Sequence, residues 1–258
     1  MPLSDYTQEQ RTFLGEQRHV YYRRNGRRGI VLMHEIPGMT PKVVELADRL
    51  VAAGFSIAMP SLFGTDGAAS TPLITTEMAA KLCVSREFSV FAANGSSPIV
   101  DWLRQLCIDF HRECGGDAVG AVGLCITGGF ALSLTIGTGG IVRAPVMSEP
   151  SLPFVLPLTT NAAAIHLTPA EQELVAQGGP PVVALRFTSD WICPSARFDT
   201  YQKLLGQRLT RIEITSPDPA HNIPKAAHSV LTNDFQDVPG HPTKLAFDRV
   251  IAFLNANI

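Results

Sequence analysis

Short apolar runs rich in β-branched residues alternate along the chain with stretches whose apolar positions recur at helical spacing. The main runs are Gly29 to Met33, Phe55 to Met59, Ala118 to Gly123, Ile141 to Met147 and Pro181 to Phe187. Each is followed by a turn or loop and then a helical pattern, as expected of a parallel sheet covered by helices. Two polar-flanked runs, His19 to Tyr22 and Leu209 to Ile214, fit edge or late strands. Helices are predicted over Pro41 to Ala53, Ser97 to Cys114, Gly128 to Ile136, Pro169 to Gln177, Pro194 to Leu205 and Pro242 to Asn255. Five of them have Pro at or near the first helical position, where the missing N–H costs nothing. Gly54, just past the first helix, suits a left-handed C-cap. The expected fold class is α/β, with a mostly parallel central sheet flanked by helices on both faces.

No Ser/Gly-rich or charge-rich linker interrupts the 258 residues, so one domain over 1–258 is expected. Gly64 to Ser96 and Glu149 to Thr168 have weaker periodicity and many Pro, Gly, Ser and Thr, and are candidate cap or lid segments. With 45% hydrophobic and 17% charged residues the chain reads as an ordinary soluble globular protein. Its net charge of -2 argues against nucleic acid as a partner. The densest basic run, Arg23-Arg24-Asn25-Gly26-Arg27-Arg28, reads as a solvated hairpin turn. No apolar run is long enough to span a bilayer, and MPLSDYTQEQ has no basic stretch leading into an apolar core, so neither a membrane span nor a secretory signal is expected. Five cysteines without short metal or redox spacing suggest free thiols and a cytoplasmic location.

The stretch Ala118-Val119-Gly120-Ala121-Val122-Gly123-Leu124-Cys125-Ile126-Thr127-Gly128-Gly129-Phe130 carries the strongest chemical signal. An apolar strand runs into small residues around a potential nucleophile and then into an apolar helix. This is the order of a nucleophile elbow, in which small neighbours let the backbone bend sharply. The helix N-terminus behind the sulfur is expected to favour thiolate and a developing oxyanion. Thr127 departs from the pattern, standing where the usual elbow has Gly, with glycines one position later. The bland reading of Cys125 is a buried structural cysteine in a glycine-rich turn.

The downstream order favours chemistry. Asp190 follows the strand ending at Phe187, and His228 lies in a loop before the last helix. Nucleophile, acid, histidine is the chain order of the α/β-hydrolases, in which His228 would take the thiol proton and Asp190 would fix its tautomer. Asp190 as a helix cap and His228 as a surface residue are the bland readings. His221 is a rival base, and Asp199 and Asp218 are weaker rival acids. After the first central strand, His34-Glu35-Ile36-Pro37-Gly38-Met39 occupies the loop that supplies a second oxyanion amide; here that amide is the N–H of Ile36, paired with that of Ile126. Glu35 would either hold the resting thiol or be an exposed loop acid.

In this ordered combination the chain resembles the dienelactone hydrolase family, a cysteine-dependent branch of the α/β-hydrolases. The matching pieces are His34 to Met39, Leu46 to Leu50 through Ala53 to Phe55, Met59 to Phe63, Gly123 to Cys125, Asp190 before Pro194, and His228. The resemblance implies a Cys125, His228, Asp190 triad acting on a lactone or activated ester, with Glu35 coupled to the cysteine. It implies no metal and no organic cofactor. An arginine that grips the substrate carboxylate in the family lies four positions after the histidine, and that place is Thr232 here. Arg86 is a substitute candidate for that contact, or a solvated helix arginine; Trp191 and Ser151 to Phe154 are candidate pocket walls.

The leading expectation is a hydrolase for a small ester or lactone, working through an acyl-enzyme as a monomer or small homo-oligomer. A thioesterase or acyltransferase would use the same triad. A non-catalytic ligand-binding member of the fold is disfavoured by the complete Cys, Asp and His set. A redox role for Cys125 lacks a nearby resolving cysteine in sequence, although Cys193 could approach in space.

Overall fold

The structure is a computed structural model that describes residues 2–71, 78, 97–153 and 161–258. Among the described residues eight strands form one sheet: β1 (Thr7–Phe13), β2 (Glu16–Arg23), β3 (Gly29–Met33), β4 (Ser56–Pro60), β5 (Val119–Leu124), β6 (Val142–Ser148), β7 (Val182–Phe187) and β8 (Leu209–Ile214). Their order is β1-β2-β4-β3-β5-β6-β7-β8. β2 runs antiparallel to both neighbours, and every pairing from β4 through to β8 is parallel.

The described helices are α1 (Pro41–Ala52), α2 (Pro98–Cys114), α3 (Phe130–Ser133), α4 (Pro169–Gln177), α5 (Ser195–Leu205) and α6 (Pro242–Asn257). They divide between the faces as the strand alternation dictates. Ile30 and Leu32 of β3 join α1 and α6 in one core layer, and Val31 and Met33 join α2, α3 and α5 in the other. The sheet is thus covered on both sides, which explains why its central strands read as unbroken apolar runs. Gly54 takes φ +93 directly after the C-cap of α1. Among the described residues no helix is long and apolar enough to cross a membrane.

Three expectations need correction. The basic run does not form a hairpin, because β2 pairs with β4 and the segment crosses to β3 beyond it. Its arginines are held: Arg24 pairs with Glu9 and Glu113, Arg27 donates to the Gly115 carbonyl, and Arg28 lies over the Phe55 ring. The hairpin is at Leu14-Gly15, both at positive φ as a tight two-residue turn requires. β1 was missed because its sequence, Thr-Gln-Glu-Gln-Arg-Thr-Phe, is an edge strand with almost no apolar face.

The third correction concerns the helix expected over Gly128 to Ile136. Regular α-helix covers only Phe130–Ser133, preceded by a 3-10 turn at Cys125–Thr127. Thr135 and Thr138 hydroxyls bond back to the Leu132 and Leu134 carbonyls, and Gly137 at φ +74 ends the coil. Of the candidate lids, residues 72–77 and 79–96 and residues 154–160 lie outside the described residues. The described flanks of the second one, including Ser151, Leu152, Ile165 and Leu167, are buried against the body.

Candidate active site

Cys125, Glu35, Glu149, Asp190 and His228 all emerge at the carboxyl ends of parallel strands, or in the loop after β8, on one edge of the sheet. In open α/β sheets this is where ligands bind.

Cys125 immediately follows β5 and sits at φ +50, a left-handed conformation that costs a non-glycine residue about 1 kcal/mol. It is buried to 8% exposure. Local sterics explain the glycines around it. A Cβ at Gly123 would lie 2.2 Å from the Thr127 carbonyl oxygen, and one at Gly128 would lie 2.7 Å from Pro150 Cα. Thr127 is compatible with the bend because its hydroxyl is a brace: Oγ1 accepts from the Leu124 amide at 3.0 Å and lies 3.1 Å from the Met33 carbonyl, tying the elbow to the end of β3. With α3 reduced to four residues, the long helix dipole expected behind the sulfur is replaced by the local amides of the turn.

Asp190 is buried in the loop after β7, and its two oxygens do different work. Oδ1 accepts from the amides of Ile192 and Cys193 at 2.9 and 3.3 Å, which fixes the carboxylate. Oδ2 lies 2.7 Å from His228 Nδ1. A carboxylate only accepts, so Nδ1 carries the proton and Nε2 is left as the free end of the ring. Nε2 is buried without a hydrogen-bond partner. Burial alone would depress the His228 pKa, but Cys125 and Asp190 outweigh it, and the imidazole is raised well above its usual value.

Glu35, at the end of β3, is also buried. Its oxygens face the histidine loop: Oε2 accepts from the Ser229 hydroxyl at 2.8 Å, and Oε1 accepts from that of Thr232. Burial raises its pKa, and those two hydroxyls partly restrain the rise. Thr232, at the position where the resemblance led us to look for an arginine, is therefore occupied in holding Glu35. Asp234 completes the loop by accepting from the amides of His228 and Ser229, each at 2.9 Å.

The rivals are engaged elsewhere. His221 lies 2.6 Å from Asp218 in a part-exposed pair, and Asp199 is ion-paired with Arg211. Ile126 is buried directly after Cys125, and half-buried Ile36 lies in the loop after β3. Trp191, next to the acid, is 68% exposed, and Arg86 lies outside the described residues.

Sequence reasoning missed Glu149, Ser229, Asp234 and Arg197. Glu149 carried the same signal as Glu35, a lone acid at the end of an apolar strand run. Arg197 did not: it reads as an ordinary helix arginine, yet it is wholly buried and donates to the carbonyls of Ala164, Pro150 and Pro153. Among the described residues no cluster of ligating side chains suited to a metal is present. What the arrangement can do is transfer a proton between a thiol and an oriented imidazole beside backbone amides, the requirements of acyl transfer.

Comparison with known proteins gives a family and a fold. The model of the dienelactone hydrolase family matches residues 18–257. A putative dienelactone hydrolase from Klebsiella pneumoniae superposes with a TM-score of 0.64 at 18% identity, covering 97% of this chain and 98% of the other. A dienelactone hydrolase-like promiscuous phosphotriesterase from metagenomic libraries gives 0.62 at 14% identity, covering 97% of each chain. A dienelactone hydrolase from Anabaena variabilis gives 0.60 at 14% identity, covering 98% of each. At these identities the structural likenesses show the fold. No curated protein matches the sequence.

Proposed function

The chain belongs to the dienelactone hydrolase family, and on that premise we propose that it hydrolyses a small carboxylic ester or lactone with Cys125 as nucleophile, His228 as base and Asp190 as orienting acid. The observation that carries this is the Asp190–His228 contact of 2.7 Å, which turns the other ring nitrogen toward Cys125, itself held at φ +50.

With the thiol proton held on His228 Nε2, the Cys125 thiolate Sγ bonds to the acyl carbon in the first half-reaction. Negative charge gathers on the carbonyl oxygen, where the amides of Ile126 and Ile36 receive it. The imidazolium then protonates the departing alkoxide as the C–O bond breaks, leaving a thioester. In a lactone the alkoxide stays tethered to the acyl group. In the second half-reaction water gives a proton to His228 and its oxygen to the acyl carbon. Collapse expels the Cys125 thiolate opposite the imidazolium as the acid leaves.

Trp191, exposed beside the acid, is proposed to line the substrate side. Thr232 is committed to Glu35, so the carboxylate grip of a dienelactone is not supplied from that position. The unpaired Cys107, Cys114, Cys125 and Cys193 support a reducing, cytoplasmic setting.

The test is turnover of a panel containing a dienelactone, aryl esters and acyl thioesters by the intact protein and by Cys125→Ala. Hydrolysis lost in Cys125→Ala is the expected result. Full activity in that variant would remove the thiol mechanism.

A further inference from the structure

Glu149 is a buried carboxyl that this mechanism does not use. It follows β6 directly and holds φ +36, so the fold keeps a strained, wholly buried acid where glycine or asparagine would fit more easily. Oε2 accepts from the Ser148 hydroxyl at 2.6 Å and from the Val230 amide at 3.2 Å, whereas Oε1 is buried with no partner. The Val230 contact places Glu149 on the loop that carries His228, two residues along.

That loop gathers carboxyls. Asp190 binds the ring of His228, Asp234 its amide, Glu35 the hydroxyls of Ser229 and Thr232, and Glu149 the amide of Val230. Four acids thus meet residues 228–232, which contain one imidazole and neither Lys nor Arg. The one guanidinium that reaches these residues, Arg49, donates to the Leu231 carbonyl at 2.7 Å and to none of the four acids, and so many like charges around one imidazole cannot all be ionised in a buried space.

We infer that Glu149 is a positioning residue acting through His228: when ionised it stabilises the imidazolium opposite the Cys125 thiolate, and its proton occupancy sets the upper pH limit of that ion pair. The inference rests on the proposed pairing of Cys125 with His228. The groups acting on the imidazole are Cys125 from the end of β5, Asp190 from β7, Glu35 from β3 and Glu149 from β6, while Asp234 of its own loop holds the backbone amide of His228. Those around Glu149 are His228, Glu35 and the Cys193 thiol, with Arg197 beyond Cys193. Burial pushes the Glu149 pKa up to about 8, with attraction to His228 pulling it down and repulsion from Glu35 pushing it up. Below that value the carboxyl is neutral and adds nothing to the ion pair. Above it, the new charge holds the proton on His228.

The measurement is the rate of Cys125 alkylation by iodoacetamide against pH, which needs no substrate, with Cys125→Ala as the blank for the other thiols. In Glu149→Gln the amide oxygen still accepts from Ser148 and Val230. Its acid-side inflection is expected to coincide with that of the intact protein, and its upper inflection, where His228 loses its proton, to fall by about one pH unit. Ser148→Ala keeps the acid but removes a hydrogen bond to its charged form, and should move the upper inflection the same way by less. Profiles that coincide, or that drop equally at every pH, would overturn the inference. An intact protein with no reactive thiolate below neutral pH would instead overturn the Cys125–His228 pairing, and this inference with it.

Discussion

Oδ2 of Asp190 is 2.7 Å from Nδ1 of His228, while Oδ1 of the same carboxylate is held by the amides of Ile192 and Cys193. The acid therefore cannot rotate away from the ring without breaking its own turn. Asp190→Asn keeps an oxygen for the two amides but presents an N–H to Nδ1, which forces the other tautomer and puts the proton on Nε2. We expect kcat to fall by about 10⁴-fold, as in other triads, with the melting temperature nearly unchanged. A near-normal rate would reduce Asp190 to a brace of its turn.

The conformation of Cys125 makes a stability prediction separate from chemistry. At φ +50 any side chain is strained, so Cys125→Gly should be more stable than Cys125→Ala despite the lost methyl group. The expected gap is about 1 kcal/mol by urea denaturation, and both variants should be inactive. If Ala is the more stable, the elbow is not under strain.

Arg197 is a buried guanidinium whose partners are carbonyls rather than carboxylates, and burial lowers its pKa. It joins the segments after β6 and β7 to the start of α5. Arg197→Met leaves the carbonyls of Ala164, Pro150 and Pro153 without donors, at about 1–3 kcal/mol for each one left unsatisfied. Arg197→Lys cannot span the same fork and should lose most of that stability too. Thermal melts of the two variants check this, and a melting temperature within a degree or so of the intact protein would contradict it.

Stability should also depend on pH in a particular direction. Glu149 is raised in the folded chain from 4.5 to about 8, so between those values the folded state binds a proton that the unfolded state has released. Its contribution is fully present below 4.5 and is lost as pH rises to about 8. His228, also raised, has the same sign, and its contribution disappears as pH climbs through its folded value. His34 has the opposite sign: held neutral by burial, with its pKa down to about 4, it loses its contribution as pH falls from 6.5. Unfolding free energies of the intact protein and Glu149→Gln, compared from about pH 5 to about pH 9, should converge or cross in favour of the variant at the alkaline end. A constant difference would mean that Glu149 is ionised throughout.

How much of this was legible in the sequence depended on the kind of signal. β3 was read to the residue because its five positions are buried on both faces and leave a continuous apolar run. β1 left no such trace, since an exposed edge strand is specified by its partner and not by its own apolar content. Asp190 and His228 were found through their order along the chain, and the 2.7 Å contact joins them. Ser229 and Thr232 were out of reach, because a hydroxyl that satisfies a buried acid has no local pattern. Their partner Glu35 is 194 and 197 residues away.

That separation has a consequence for how activity is acquired. Cys125, Asp190 and His228 come from distant parts of the chain, and the loop bearing the histidine is fastened by acids from the ends of β3, β6 and β7. A growing or partly refolded chain that has closed β3 through β6 already carries a bent thiol but has no base to draw its proton. Hydrolysis should consequently be among the last properties to return on refolding, after the far-ultraviolet signal of the helices, because contacts so distant in sequence are slow to close. Regain of turnover then reports completion of the whole sheet.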